Sequence, residues 1–421
     1  MSVINKKTLS NGLRIVHQED KATQMVALNL LYNVGAKDEN PSKTGFAHLF
    51  EHLMFSGSEN IPNYDIPLQN AGGENNAWTN NDLTNFYLTI PYQNVEIGFW
   101  LESDRLNGLG LDARKIEIQK GVVCEEFKQR NLNQPYGDAS HLVRDMAYQV
   151  HPYRWPTIGE RLEHIQNASA EDVVDFYHRF YNPNNLILAV TGHISFERTI
   201  ELAEKWFGDI TKNYPNNRPT IIEPKQLKVR RKEVFRDVPV DSLYMAFHMC
   251  ERKNRDYYAF DILSDILSNG ASSRFHQKLI LEKRIFTSVD AYISGSIDAG
   301  LFQIYGRPYP GVTLEEAEKA IWEELELIKK EYVDEVELEK VKNKFESNYI
   351  FNHINFLNVA TNLAWFELLG DANDINNEVS NYKSVTKEHL LHVANQSLIE
   401  ENCSILYYKK RENKEIENGS N

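Results

Sequence analysis

Three prolines, Pro215, Pro219 and Pro224, lie among Asn216, Asn217 and Arg218 in a stretch over residues 211–225 that has no apolar period. Such a composition marks a linker, and this one divides the 421 residues into halves of about two hundred, an ordinary domain size. Both halves follow one order of elements. Each opens with a strand-like run, residues 26–32 and 242–248, followed by a helical pattern. Each closes with a capped helix and a buried strand. Ser169-Ala170-Glu171-Asp172 caps a helix whose inner face carries Val173, Val174, Phe176 and Tyr177, and the strand-like run 185–190 follows. Thr386 precedes a helix with Leu390, Leu391 and Val393 facing inward, and the run 402–408 follows. The repeat is weak residue by residue and rests on element order, which gives two α+β halves. Between them in the second half, charged helices over residues 313–330 and 334–350 are expected to present solvated faces.

The first half carries His48-Leu49-Phe50-Glu51-His52. On a helix, residues 48 and 52 lie one turn apart on the same face, so both imidazoles can reach one metal ion. Glu51 falls beside that ion, in the order His-x-x-Glu-His, the inverse of the commoner zinc-peptidase order. Phe46, Leu49, Phe50 and Leu53 form the opposite, apolar stripe, suited to packing on a sheet. A catalytic zinc takes three protein ligands, so a third must come from elsewhere. A helical pattern over residues 113–130 contains Glu125-Glu126. Glu126 shares a face with Gln119, Val122 and Val123, and Glu125 belongs with Ile118, Gly121 and Val122, so spacing leaves both open.

Several classes are disfavoured by composition. Cys124, Cys250 and Cys403 are isolated, which argues against a disulfide framework or a cysteine-based metal site. A net charge of -14 disfavours nucleic acid and anionic membranes as partners. No apolar run reaches the length of a membrane span, and the first twenty residues lack the apolar core of a signal peptide. The expected compartment is cytoplasmic, or periplasmic if an export signal has been removed.

The His48–His52 motif, followed by Glu126 at 126 − 52 = 74 positions beyond the second His, resembles the M16 (pitrilysin/insulinase) metallopeptidases. More narrowly, it is similar to the short subfamily that includes the mitochondrial processing peptidases, in its zinc-bearing subunit. Further segments share the likeness: Gly72-Gly73-Glu74-Asn75-Asn76-Ala77-Trp78-Thr79, Trp100-Leu101-Glu102-Ser103-Asp104-Arg105, His151-Pro152-Tyr153 and Ser272-Ser273-Arg274. The likeness runs over residues 9–408, essentially the whole chain.

The resemblance implies an α+β fold of two similar domains, each a mainly antiparallel sheet with helices packed against it. The expected boundaries are 1–212 for the zinc-binding domain, 213–225 for the linker, 226–410 for the second domain and 411–421 for a disordered tail. It implies one zinc per chain, held by His48, His52 and Glu126, with Glu51 as the catalytic base of a metalloendopeptidase. It places Asn76 and Ala77 on an edge strand that pairs with an extended peptide substrate. Where the family often has an acid seven positions before the third ligand, this chain has Gln119, which could hold a ligand without adding charge.

One departure bears on partners. Family members that act alone carry an Arg and, seven positions later, a Tyr in the half opposite the zinc. Here Thr287 stands at the Tyr position and Leu281 or Ile280 at the Arg position, with Arg284 at the wrong spacing. The chain therefore reads as the zinc-bearing partner of a second M16-like chain that supplies the pair, with a homodimer as the other arrangement. A non-catalytic scaffold subunit and a dedicated processor of presequences or precursor peptides are the other functions such a chain can serve.

Overall fold

Residues Met25–Tyr32 and Leu186–Gly192 are buried at nearly every position, a pattern that demands cover on both faces of a sheet. The computed structural model describes residues 3–211 and 218–411 and supplies that cover. Strands β1 (Asn5–Thr8), β2 (Arg14–Glu19), β3 (Met25–Tyr32), β4 (Glu74–Thr79), β5 (Thr84–Pro91) and β6 (Leu186–Gly192) form one sheet in the order β1-β2-β6-β3-β5-β4. Every neighbouring pair is antiparallel except β2 and β6. On one face, Leu28, Leu30, Phe86 and Leu188 pack with Leu49, Phe50, Phe99, Val173 and Leu202 from the helices. On the other, Val16, Ala27, Leu31, Ile187 and Ala189 pack with Val359, Ala360, Leu363 and Ala364 of the helix Phe356–Leu369. Asn29 is fully buried in that second interface, where its amide bonds Asn85 at 2.8 Å and accepts from the Thr361 hydroxyl at 3.1 Å.

The second sheet contains β7 (Arg230–Arg236), β8 (Ser242–His248), β9 (Phe286–Ile293), β10 (Leu301–Pro308) and β11 (Cys403–Lys410), in the order β7-β11-β8-β10-β9. Only β7 and β11 are parallel. Substituting β7 to β11 for β2 to β6 reproduces both the order and the sense of every pairing. The duplication read from element order is therefore present strand for strand, and the fold is α+β with two similar sheet-and-helix units.

The packed units are not contiguous in sequence. The first takes the chain as far as Phe127, Val150–Ile222 and Asn343–Lys383; the second takes Lys128–Gln149, Glu223–Lys342 and the chain from Ser384 onward. The expected division around 213–225 separates the two sheets, but it does not separate the units. The helix Ala139–Ala147, from the first half of the sequence, packs on β11, β8 and β7. The helix Phe356–Leu369, from the second half, packs on β3, β6 and β2. Each covers a sheet face that the other half of the sequence leaves open, which is the physical reason for the exchange. Residues 213–217 of the expected linker and 412–421 of the expected tail lie outside the described residues.

The charged helices occupy Leu314–Lys330 and Glu335–Asn352, close to expectation. Their charges are not all solvated. Glu318 is buried and accepts both Arg231 guanidinium nitrogens at 2.7 Å, with the Tyr407 hydroxyl at 2.7 Å. No described helix is long and apolar enough to cross a membrane.

Candidate metal centre

The helix Phe46–Leu53 carries the motif, and its sequence fixes its orientation. Phe46, Leu49, Phe50 and Leu53 are at most 3% exposed. The Phe50 ring stacks on Phe176 and on Tyr181, each with centroids 5.1 Å apart, so the inward face cannot rotate without losing both contacts. His48, Glu51 and His52 are left on the opposite side. The helix begins at Gly45, whose φ of 94° is left-handed and whose missing side chain can cap nothing. Instead the Glu39 carboxylate accepts the Gly45 and Ala47 amides, each at 2.8 Å. Burial pushes the Glu39 carboxyl up to about 8, against the pull of those two amide bonds.

The third group arrives on the helix Ala113–Phe127. Ile116, Val123, Cys124 and Phe127 are buried, and the Lys120 ammonium donates to the Ala168 carbonyl at 2.8 Å. These contacts turn Glu126 inward and leave Glu125 exposed, which resolves the choice that spacing left open. His48 Nε2 lies 3.3 Å from His52 Nε2, and each is 3.5 Å from Glu126 Oε2. Tetrahedral zinc with bonds of about 2.0–2.1 Å sets its ligand atoms about 3.3–3.4 Å apart, so this triangle fits one zinc ion. Among the described residues this is the one trio of His, Cys, Asp or Glu groups close enough to share an ion. Ligation through both Nε2 atoms requires each imidazole to carry its proton on Nδ1.

Glu51 is half-buried on the same helix and takes no hydrogen bond or ion pair from a described residue. Gln119 is half-buried two turns before Glu126 and makes no hydrogen bond to a described residue, so no ligand contact is drawn for it. Asn76 and Ala77 lie on β4, at the edge of the first sheet. Ala77 faces the packed side and Asn76 the exposed side, where its Oδ1 accepts the Ala77 amide at 2.8 Å. In the second unit, Leu281 is exposed, Arg284 has a φ of 51°, and the Thr287 hydroxyl donates to the Arg307 carbonyl at 3.0 Å. None of Ile280, Leu281 and Thr287 is an Arg or a Tyr.

The segment Trp100–Arg105 turns out to be structural. Glu102 and Arg105 are buried and paired, with Tyr64 donating to Glu102 at 2.5 Å and Phe86 4.5 Å beneath the guanidinium. Sequence reasoning missed Glu39. The available signal was an acid six residues before a glycine at a helix start with no Ser, Thr, Asp or Asn to cap it.

Comparison with known proteins gives the family of the chain. Residues 14–161 match the family model described as Insulinase (Peptidase family M16), and residues 167–345 match the Peptidase M16 inactive domain. The zinc protease PqqE of Helicobacter pylori is 28% identical over 96% of this chain and 92% of its own. The probable mitochondrial-processing peptidase subunit beta of Schizosaccharomyces pombe is 24% identical over 71% of this chain and 68% of its own. A crystal structure of a protease from Helicobacter pylori superposes with a TM-score of 0.92 at 27% identity, covering 97% of this chain and all of that one. The chain belongs to peptidase family M16.

Proposed function

We propose that this chain is a zinc-dependent endopeptidase acting on oligopeptides or unfolded segments, with His48, His52 and Glu126 holding the metal and Glu51 moving the proton. The observation that carries this reading is the triangle of two imidazole nitrogens and one carboxylate oxygen, with sides of 3.3 to 3.5 Å. Relatives named zinc proteases support it. Zinc at such a site supplies Lewis-acid polarisation and water acidic enough to ionise near neutral pH. Glu51 neighbours the ligands on the same helix face, and no described residue competes for its carboxylate. It takes a proton from water and returns it to the leaving amine. The exposed edge of β4 offers main-chain hydrogen bonds to an extended peptide, with Asn76 and Ala77 at its middle. That mode selects extended shape over sequence.

Leu281, Ile280 and Thr287 offer no charged or phenolic donor, which favours a second M16-like chain completing the site. The test measures zinc content and peptide hydrolysis of wild type and Glu51→Gln, each alone and with any M16-like chain that co-purifies. Zinc retained with hydrolysis lost in the variant supports the assignment. Near-normal turnover in zinc-loaded E51Q would sink it. Full activity of the single chain, unchanged by a partner, would remove the two-chain part alone.

A further inference from the structure

A helix that presents two metal ligands must start at a fixed place, because its first turn sets where both side chains point. Four amides at a helix start lack partners within the helix, and a Ser, Thr, Asp or Asn side chain normally takes one or two of them. Gly45 offers no side chain, and none can be added there. Besides the left-handed φ, a Cβ would meet Ile165 Cδ1 at 2.9 Å and the Ile158 carbonyl oxygen at 3.0 Å. The capping groups come from Glu39 instead, with one carboxylate oxygen on the Gly45 amide and the other on the Ala47 amide. Ala47 directly precedes His48. The carboxyl group thus grips the backbone on the N-terminal side of the first ligand.

Glu39 is itself held rigidly. It follows the short turn Ala36–Asp38, in which the Gly35 amide bonds Asp38 Oδ2 at 2.9 Å. Trp155 Nε1 donates to the Ala36 carbonyl at 2.8 Å, Lys37 pairs with Asp82 at 2.8 Å, and Arg218 pairs with Asp38 at 3.1 Å. A bulkier residue at Gly35 would run into the Asn81 and Asp82 backbone at 2.5 Å. Glu39 is 6% exposed, so no water replaces its oxygens freely. Burying a carboxyl group is costly unless its oxygens are bonded, and these are bonded to the start of the metal helix.

We propose that Glu39 is a positioning residue for the metal centre: its carboxylate fixes the start of the helix that presents His48 and His52, without touching the metal. The proposal rests on the metal-centre reading above. It predicts that zinc affinity, and not stability alone, depends on both carboxylate oxygens. Glu39→Gln keeps the shape and one acceptor but turns an NH2 donor toward an amide that also donates.

The test measures zinc dissociation from the full chain by competition with a chromogenic chelator, well below the unfolding temperature. Thermal unfolding of the metal-free protein is recorded beside it. E39Q should weaken zinc by about tenfold, at the lower end of the range for residues that orient ligands. Glu39→Asp, which keeps both oxygens on a shorter arm, should fall between E39Q and wild type. Leu363→Ala is the control, because Leu363 packs on the opposite face of the sheet. It should lower the unfolding temperature and leave zinc affinity unchanged. Zinc affinity in folded E39Q within twofold of wild type overturns the proposal, as does an equal loss in L363A. Should E39Q fail to fold, wild-type affinity in E39D overturns the proposal, and an intermediate loss in E39D with unchanged affinity in L363A supports it. A wild-type chain that takes up no zinc removes the metal centre and this inference together, whereas zinc-binding wild type with equal E39Q removes this inference alone.

Discussion

In the first unit the helix between β3 and β4 carries His48, Glu51 and His52; in the second the helix Asp256–Ser268, between β8 and β9, carries Asp261, Ser264 and Asp265 at the same spacing. The apolar positions correspond too, with Leu49, Phe50 and Leu53 buried like Ile262, Leu263 and Ile266. In the second unit, Asp261, Ser264 and Asp265 line a cavity of about 870 Å³ together with Asp290, Tyr292 and Tyr305. Packing against a sheet dictates the inward residues, so both units keep them. Packing does not dictate the outward ones, and the His-x-x-Glu-His set is present in one unit only. A fold can thus be duplicated while the outward residues of the corresponding helices diverge.

The sharpest way to break this comparison is to exchange the central residue of each trio. E51Q should cut peptide turnover by about 10²–10⁴-fold, the usual worth of a general acid–base, with zinc still bound. Ser264→Ala should leave turnover unchanged. Steady-state hydrolysis with metal analysis separates the two outcomes.

Next in size is the loss of a ligand. Glu126→Gln should weaken zinc by more than about 100-fold, beyond what residues outside the ligand set contribute. Asp265→Asn should leave affinity as it was. Chelator competition reads both, and equal losses would mean that the second unit also holds metal.

A graft sharpens the point. The triple variant D261H/S264E/D265H copies the motif into the second unit, where the wild-type carboxylates of Asp261, Asp265 and Asp290 form no trio close enough to share an ion. Zinc stoichiometry should stay at one tightly bound ion per chain. Two ions of equal affinity would show that the helix motif alone suffices.

The smallest effect concerns pH. With its carboxyl near 8 in the folded protein and near 4.5 when unfolded, Glu39 keeps a proton on folding that the unfolded chain releases between those values. Its contribution to stability is full below about pH 4.5 and is lost as pH rises through about 8. The unfolding temperature of metal-free wild type should therefore fall more across that window than that of E39Q. Parallel curves would contradict the assignment.

Much of this was legible in the sequence. Spacing alone placed His48, Glu51 and His52 on one helix face, because four residues make about one turn. Glu126, 74 positions further on, needed the family likeness, since no local pattern separates it from Glu125. Strand order survived because the apolar runs are strong. The exchange of the helices Ala139–Ala147 and Phe356–Leu369 was not legible, because which sheet a helix covers depends on faces left open far away in the chain. Glu39 escaped for a related reason: it caps a helix from six residues upstream, outside any local capping rule.

The central claim is that one metal site exists and lies in the first unit. Anomalous diffraction at the zinc edge from crystals of the zinc-loaded chain tests it most directly. The account predicts one peak per chain, about 2 Å from His48 Nε2, His52 Nε2 and a Glu126 carboxylate oxygen. Density at Asp261 and Asp265, or none between the two histidines, would contradict it.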